Sequence, residues 1–309
     1  MTRHPPARDW LTLRSESVSK YSAPRTWAIQ LNPVTHAVEQ VRPFSIATPG
    51  WALDPTIAQN NDWEDLTVGP ERPTADGSST RNLIIGATGD ARVNRVYDAS
   101  GKDITCDTRR LIEWVEPDVT DPTVTTWSPW KIFDVKNFVG LGGITACNVE
   151  SVAQASDAEG VPQAYLVTRI GGKLLSRSLE LRTGRDPDTP VAQVGSAIDY
   201  APTVTYVGVV KGSRGAPITA ADSNGDDIAL VSPATAKKPC QIFRWSMQGA
   251  TFASRLTSVE PAKDTITCKA TEGLAFTRDP ADPNAFTRDL VAISDSKTPP
   301  LRYWYLPAG

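Results

Sequence analysis

Histidine, methionine and cysteine are all scarce in this 309-residue chain, with two, two and four copies. The histidines are His4 and His36, and neither has the neighbouring Ser or Asp arrangement of a catalytic triad. The cysteines, Cys106, Cys147, Cys240 and Cys268, form no Cys-x-x-Cys pair. With so little histidine beside them, a structural zinc site is not expected. There is no Gly-x-Ser-x-Gly elbow and no glycine-rich phosphate loop leading into a helix. No apolar run approaches the roughly 20 residues that a membrane helix needs, so no membrane partner is expected. Neither sign of charge is concentrated: 32 Lys and Arg stand against 35 Asp and Glu, for a net charge of −3. Without a basic stripe, a general electrostatic grip on nucleic acid is not expected either. No catalytic constellation is left, and the chain reads as more binding module than enzyme.

Residues 1–9 are polar and proline-rich, which is not a secretory leader. The protein then stays in the cell, is exported by a segment outside this numbering, or leaves in a virion. An extracellular or virion location is the expectation adopted.

Proline and glycine are plentiful, with 25 and 21 residues spread along the chain. That composition suits many short strands joined by turns, not long helices. A weak repeat runs through it. An acidic residue precedes a short apolar run at Glu64, Glu150, Asp222 and Glu272. A turn follows, then a strongly apolar second strand at 82–86, 164–168, 227–231 and 289–293. Such short Val/Ile/Leu runs suit strands buried on both faces. A third strand alternates basic or aromatic with apolar residues at 110–115, 173–179, 241–245 and 301–305. Fourth strands are read at 190–194 and 252–256. The N-terminal unit supplies strands at 10–13, 26–31 and 37–41 and lacks the first, acidic strand.

The expectation is an all-β fold, a β-propeller of about five four-stranded blades with incomplete terminal blades, forming a single domain over 1–309. The blades are read at about 10–48, 62–135, 147–210, 218–258 and 270–309. A pair of β-sandwich domains is the competing architecture.

The stretch Asp62-Trp63-Glu64-Asp65-Leu66-Thr67-Val68-Gly69-Pro70, followed by 83–90 and by 111–117 ending in Val-Glu-Pro, resembles bacterial, actinobacterial-type β-propellers similar to esterase-like phytase and SdiA-regulated propellers. The resemblance spans about 10–306 and implies the propeller fold, with blades that begin on an acidic residue. It also implies the alternative function, a secreted metal-dependent hydrolase of phosphate esters or small esters.

If Glu64, Glu150, Asp222 and Glu272 face one axis, they repel one another unless protonated, hydrogen-bonded or bridged by a cation. Three readings stay open: acceptors of backbone N–H bonds, ligands of a structural cation such as Ca²⁺, or ligands of a catalytic one. Residues 222–227 fail the EF-hand pattern, because Asp227 stands where glycine is needed; a tight turn through Asn224-Gly225 is expected. Asp90, Arg169, Ser232 and Asp295 end successive second strands and form a candidate rim for a small polar or anionic ligand. Arg302, Tyr303, Trp304 and Tyr305 form the candidate contact for a protein partner, a second copy or a glycan, because the last unit has no outer strand. The cysteines pair in chain order, Cys106 with Cys147 and Cys240 with Cys268, or remain four buried thiols. The function expected is a non-enzymatic binding or structural module, as in a phage tail or another assembly.

Overall fold

A computed structural model describes residues 10–14, 25–32, 34–46, 64–73, 79–87, 95, 97–115, 119, 121–127, 129–140, 147–180, 203–213, 216–235, 239–267, 271–279, 282–294 and 303–307. They form an all-β protein of several sheets, with one α-helix among the described residues.

In chain order the strands are β1 (Trp10–Arg14), β2 (Arg25–Leu31), β3 (Val38–Ile46), β4 (Asp65–Pro73), β5 (Ser79–Ala87), β6 (Arg110–Val115), β7 (Thr126–Trp127), β8 (Pro129–Asp134), β9 (Lys136–Val139) and β10 (Val149–Ser156). They continue as β11 (Pro162–Thr168), β12 (Lys173–Ser178), β13 (Thr203–Val209), β14 (Ala220–Ser223), β15 (Asp227–Ser232) and β16 (Cys240–Ser246). Helix α1 (Phe252–Ser258) precedes β17 (Ala262–Ile266), β18 (Thr271–Asp279), β19 (Asp282–Ser294) and β20 (Tyr303–Leu306).

Five sheets result. Their strand orders are β1-β2-β3-β7, β4-β5-β6-β8, β10-β11-β12-β13-β9, β14-β15-β16-β17 and β18-β19-β20. Neighbours are antiparallel except at two outer edges, where β7 lies parallel to β3 and β9 parallel to β13.

The second strand of each sheet is its apolar centre. All of β15 is buried, because Ile228 and Leu230 face one neighbouring sheet while Ala229 and Val231 face the other. Such a strand is a continuous apolar run because it has no solvent face. The first strands carry small residues instead: Ala153, Ala220 and Ala221 are buried where β4, β10, β14 and β18 come together.

Successive sheets share apolar clusters. Leu111 and Phe133 of the second meet Val149, Val152 and Leu166 of the third. Tyr165 and Val167 of the third meet Ile228, Leu230 and Phe243 of the fourth. Ala229 and Ile242 of the fourth meet Phe276 and Leu290 of the fifth. The fifth packs on the first through Val291 and Ile293 against Ile29 and Leu31. Between first and second, Arg42 of β3 donates to the carbonyls of Val119, Asp121 (2.8 Å) and Val124 (3.0 Å). This anchors the segment that carries β7 across to the first sheet.

Several expectations need correcting. Residues 252–256 are not a fourth strand but helix α1. Thr251 Oγ1 caps it by accepting from Ser254 N (3.3 Å), and Phe252 and Leu256 are buried one turn apart. The strand closing that sheet is β17. Thr251→Ala should therefore lower stability by about 1 kcal/mol in urea unfolding. Residues 10–13 stand at the first-strand position, since β1 lies beside β4 and β18. The N-terminal unit thus does not lack its first strand, and its outermost strand is lent by the second unit through β7. The expected strand at 190–194 lies outside the described residues.

The expected turn at 224–227 is present. Asn224 Oδ1 accepts from Asp226 N (3.0 Å) and Asp227 N (2.6 Å), and Gly225 takes a φ of 93° that few other residues adopt. Cys106 and Cys147 form a disulfide. Cys240 is disulfide-bonded as well, while Cys268 lies outside the described residues.

Candidate functional site

The place where the first strands meet is built around two buried aspartates. Asp65 opens β4 and is 5% exposed. Its carboxylate accepts from Leu66 N (3.0 Å) on its own strand, from Val152 N (2.9 Å) on β10 and from Ala221 N (3.0 Å) on β14. Asp222, on β14 and 4% exposed, accepts from Phe276 N (2.8 Å) on β18 and from Thr67 Oγ1 (3.1 Å) on β4. Two side chains thereby tie together the first strands of four sheets. Short carboxylates do this because a first strand facing another at close range leaves backbone N–H groups that its own sheet does not use.

Burial raises the Asp65 carboxyl well above the usual carboxylate range, against the pull of its three N–H partners, and the Asp222 charge adds to the rise. Burial likewise raises Asp222 from 3.8 to about 7, opposed by its bonds to Phe276, Ser223 and Thr67.

The four positions singled out from the repeat are not equivalent. Asp222 is one of the two stapling aspartates. At the corresponding place in β4 the stapling residue is Asp65, next to Glu64, which is only half-buried and whose N–H bonds to Gly86 O (2.9 Å). Glu150 is buried, with both carboxylate oxygens on Arg169 Nη1 (2.7 and 2.6 Å). Glu272 lies on β18, but its side chain is outside the described part. Asp222 and Glu150 have both oxygens engaged by protein donors. Among the described residues no group of three or more His, Cys, Asp or Glu is placed to hold a metal ion.

Of the candidate rim, Arg169 is committed to Glu150, and Ser232 is buried at the end of β15. Asp90 and Asp295 lie outside the described residues. Of the candidate contact, Trp304 packs toward the fourth sheet and Tyr305 toward the first, where it stacks on His36 with ring centroids 3.5 Å apart. Arg302 and the Tyr303 side chain lie outside the described part. Alternation in β20 thus places the Trp304 and Tyr305 rings between sheets, the ordinary use of large rings in stacked sheets.

Two features were not singled out from the sequence. Arg72 and Glu113 form a buried bidentate pair, Nε–Oε1 and Nη2–Oε2 both 2.9 Å, and Arg72 also donates to Leu179 O (2.9 Å) of the third sheet's segment. The signal was there: Glu113 interrupts the apolar run Leu111-Ile112-Glu113-Trp114-Val115. A groove of about 380 Å³ also lies between the fourth and fifth sheets. Arg288 of the fifth sheet pairs with Asp227 of the fourth across it (2.7 Å), Arg244 pairs with Asp264 within the fourth (2.9 Å), Arg255 and Glu260 also line it, and Trp245, Val259, Ala262 and Phe276 give it apolar surface.

No helix among the described residues is long and apolar enough to cross a membrane. No family model matches the chain, and no curated protein matches it.

Proposed function

We propose that the chain is a five-bladed β-propeller, one blade per sheet, acting as a non-enzymatic binding or structural module of a larger extracellular or virion assembly such as a phage tail. The observation that carries this reading is the circular order of packing: each sheet shares contacts with the next, and the fifth packs on the first. A blade cannot bury both faces alone, and circular stacking buries them.

The central carboxylates support a structural role, because their oxygens are used in holding sheets together. The Cys106–Cys147 bond suits an oxidising setting outside the cytosol. The outer edge of β20, on a sheet with three strands among the described residues, supplies a place for a partner strand or a second copy.

The assembly part is tested by size exclusion with light scattering, on purified protein and on protein recovered from its native source. A mass well above the 33.4 kDa chain is expected in at least the second sample. A lone 33.4 kDa species in both overturns it.

A further inference from the structure

The groove between the fourth and fifth sheets is bounded by the end of β16, by the link from α1 to β17, and by β18 and β19. Trp245 pins that link, since its indole Nε1 donates to Val259 O (2.8 Å). Trp245 and Phe276, both buried, give the groove an apolar floor, and Val259 and Ala262 extend it. Its volume of about 380 Å³ falls within the range, about 300–1,000 Å³, of sites that hold small organic ligands.

Three arginines line this groove, and they are not alike. Arg244 has all three nitrogens engaged: Nε with Asp264 (2.9 Å), Nη1 with Arg288 O (3.0 Å) and Nη2 with Leu306 O (3.4 Å). Arg288 sets two of its three on Asp227 (2.7 and 3.1 Å). Each of these has its own carboxylate. Arg255, on α1, has none among the described residues. Its Nη2 donates to Gln248 O, while its Nε is buried and has no hydrogen-bond partner. Glu260, also on the groove, is exposed and makes no ion pair with it. A buried donor left unmet is costly, and more so on a charged group. Water meets such a donor but leaves the guanidinium charge uncompensated. A carboxylate does both, and its two oxygens match the planar fork.

We propose that this groove is a binding site for a small organic monocarboxylate with an apolar body. The carboxylate takes the Nε edge of Arg255, and the apolar body lies along Trp245, Phe276 and Val259. Asp227, Glu260 and Asp264 balance the three arginines, so the lining is neutral overall. Those acids repel a second negative charge, which sets a monocarboxylate apart from phosphate. The site is complete within one chain and independent of the oligomeric state.

Phenylacetate is the probe. Phenylacetamide is its neutral counterpart, acetate carries the charge without the body, and inorganic phosphate carries more charge. Each is titrated into the ¹⁵N-labelled full chain and followed by NMR at the Arg255 Nε–H and Trp245 Nε1–H signals. Phenylacetate is expected to shift both saturably with a Kd on the order of 1 mM, and the other three to bind about tenfold more weakly or worse. Arg255→Gln should weaken phenylacetate by about tenfold and leave phenylacetamide unchanged. The site is overturned if any of the three controls binds as tightly as phenylacetate, if phenylacetate gives no saturable shift at these two signals, or if Arg255→Gln keeps the wild-type affinity. Should Arg255→Gln fail to fold, the wild-type comparison of phenylacetate with phenylacetamide decides by itself.

Discussion

Glu113→Ala is expected to lower the stability of the protein by about 3–5 kcal/mol. Glu113 is fully buried and Arg72 is 7% exposed, so the variant leaves a guanidinium inside the protein without its carboxylate. The cost is that of an uncompensated charge, and it exceeds the net worth of the pair itself. The fork geometry adds to it, because both oxygens are met by separate nitrogens at 2.9 Å. Arg72 also reaches Leu179 O, so its displacement loosens the second sheet from the third.

Urea unfolding gives the number, and a double variant gives the reason. Glu113→Leu combined with Arg72→Met removes both charges and retains most of the volume, so it should recover most of the lost stability. A loss below about 1 kcal/mol for Glu113→Ala would instead mean that water reaches the guanidinium, as in an exposed pair. An unrecovered loss in the double variant would place the cost in packing.

What the sequence made legible was set by how local each signal is. The all-β class followed from dispersed proline and glycine and from short runs such as Ile228-Ala229-Leu230-Val231, which must be strands buried on both faces to make sense. The Asn224-Gly225 turn was legible for the same reason, since its geometry is fixed within four residues. Strands β7 and β9 were not. They are two and four residues long and lie parallel to strands far away in the chain, so no local pattern marks them. Helix α1 was misread because Phe252, Ser254 and Leu256 also fit a two-residue alternation. The deciding signal was the Thr251 cap.

The centre shows the same limit on a finer scale. Asp62-Trp63-Glu64-Asp65 offers three acids in a row of four residues, and the repeat alone pointed to Glu64. The acid that bridges to Val152 and Ala221 is Asp65. Which of two adjacent residues turns inward depends on the register of β4 against β5, where Asp65 sits opposite Gly86. Nothing within those four residues sets that register.

Removing the Cys106–Cys147 bond is the second large effect expected. The two residues are 41 apart in sequence, and closing a loop of that size restricts the unfolded chain by about 4 kcal/mol. The bond also joins particular parts of the fold. Cys106 lies in the short 3-10 helix Thr105–Thr108 between β5 and β6, and Cys147 stands just before β10. The closed loop therefore holds β6 to β9, including the β7 segment lent to the first sheet. Cys106→Ala with Cys147→Ala isolates this bond, whereas reduction would also break the one at Cys240. The double variant should lose about 3–4 kcal/mol in urea, and the denaturant slope should rise as the unfolded chain expands. A loss under about 1 kcal/mol with an unchanged slope would show that the 106–147 loop is already confined in the unfolded state. Because the folded contacts between the second and third sheets rest on Leu111, Phe133, Val149 and Val152, the variant should keep its native fold. Its destabilisation would then fall on the equilibrium and not on the architecture.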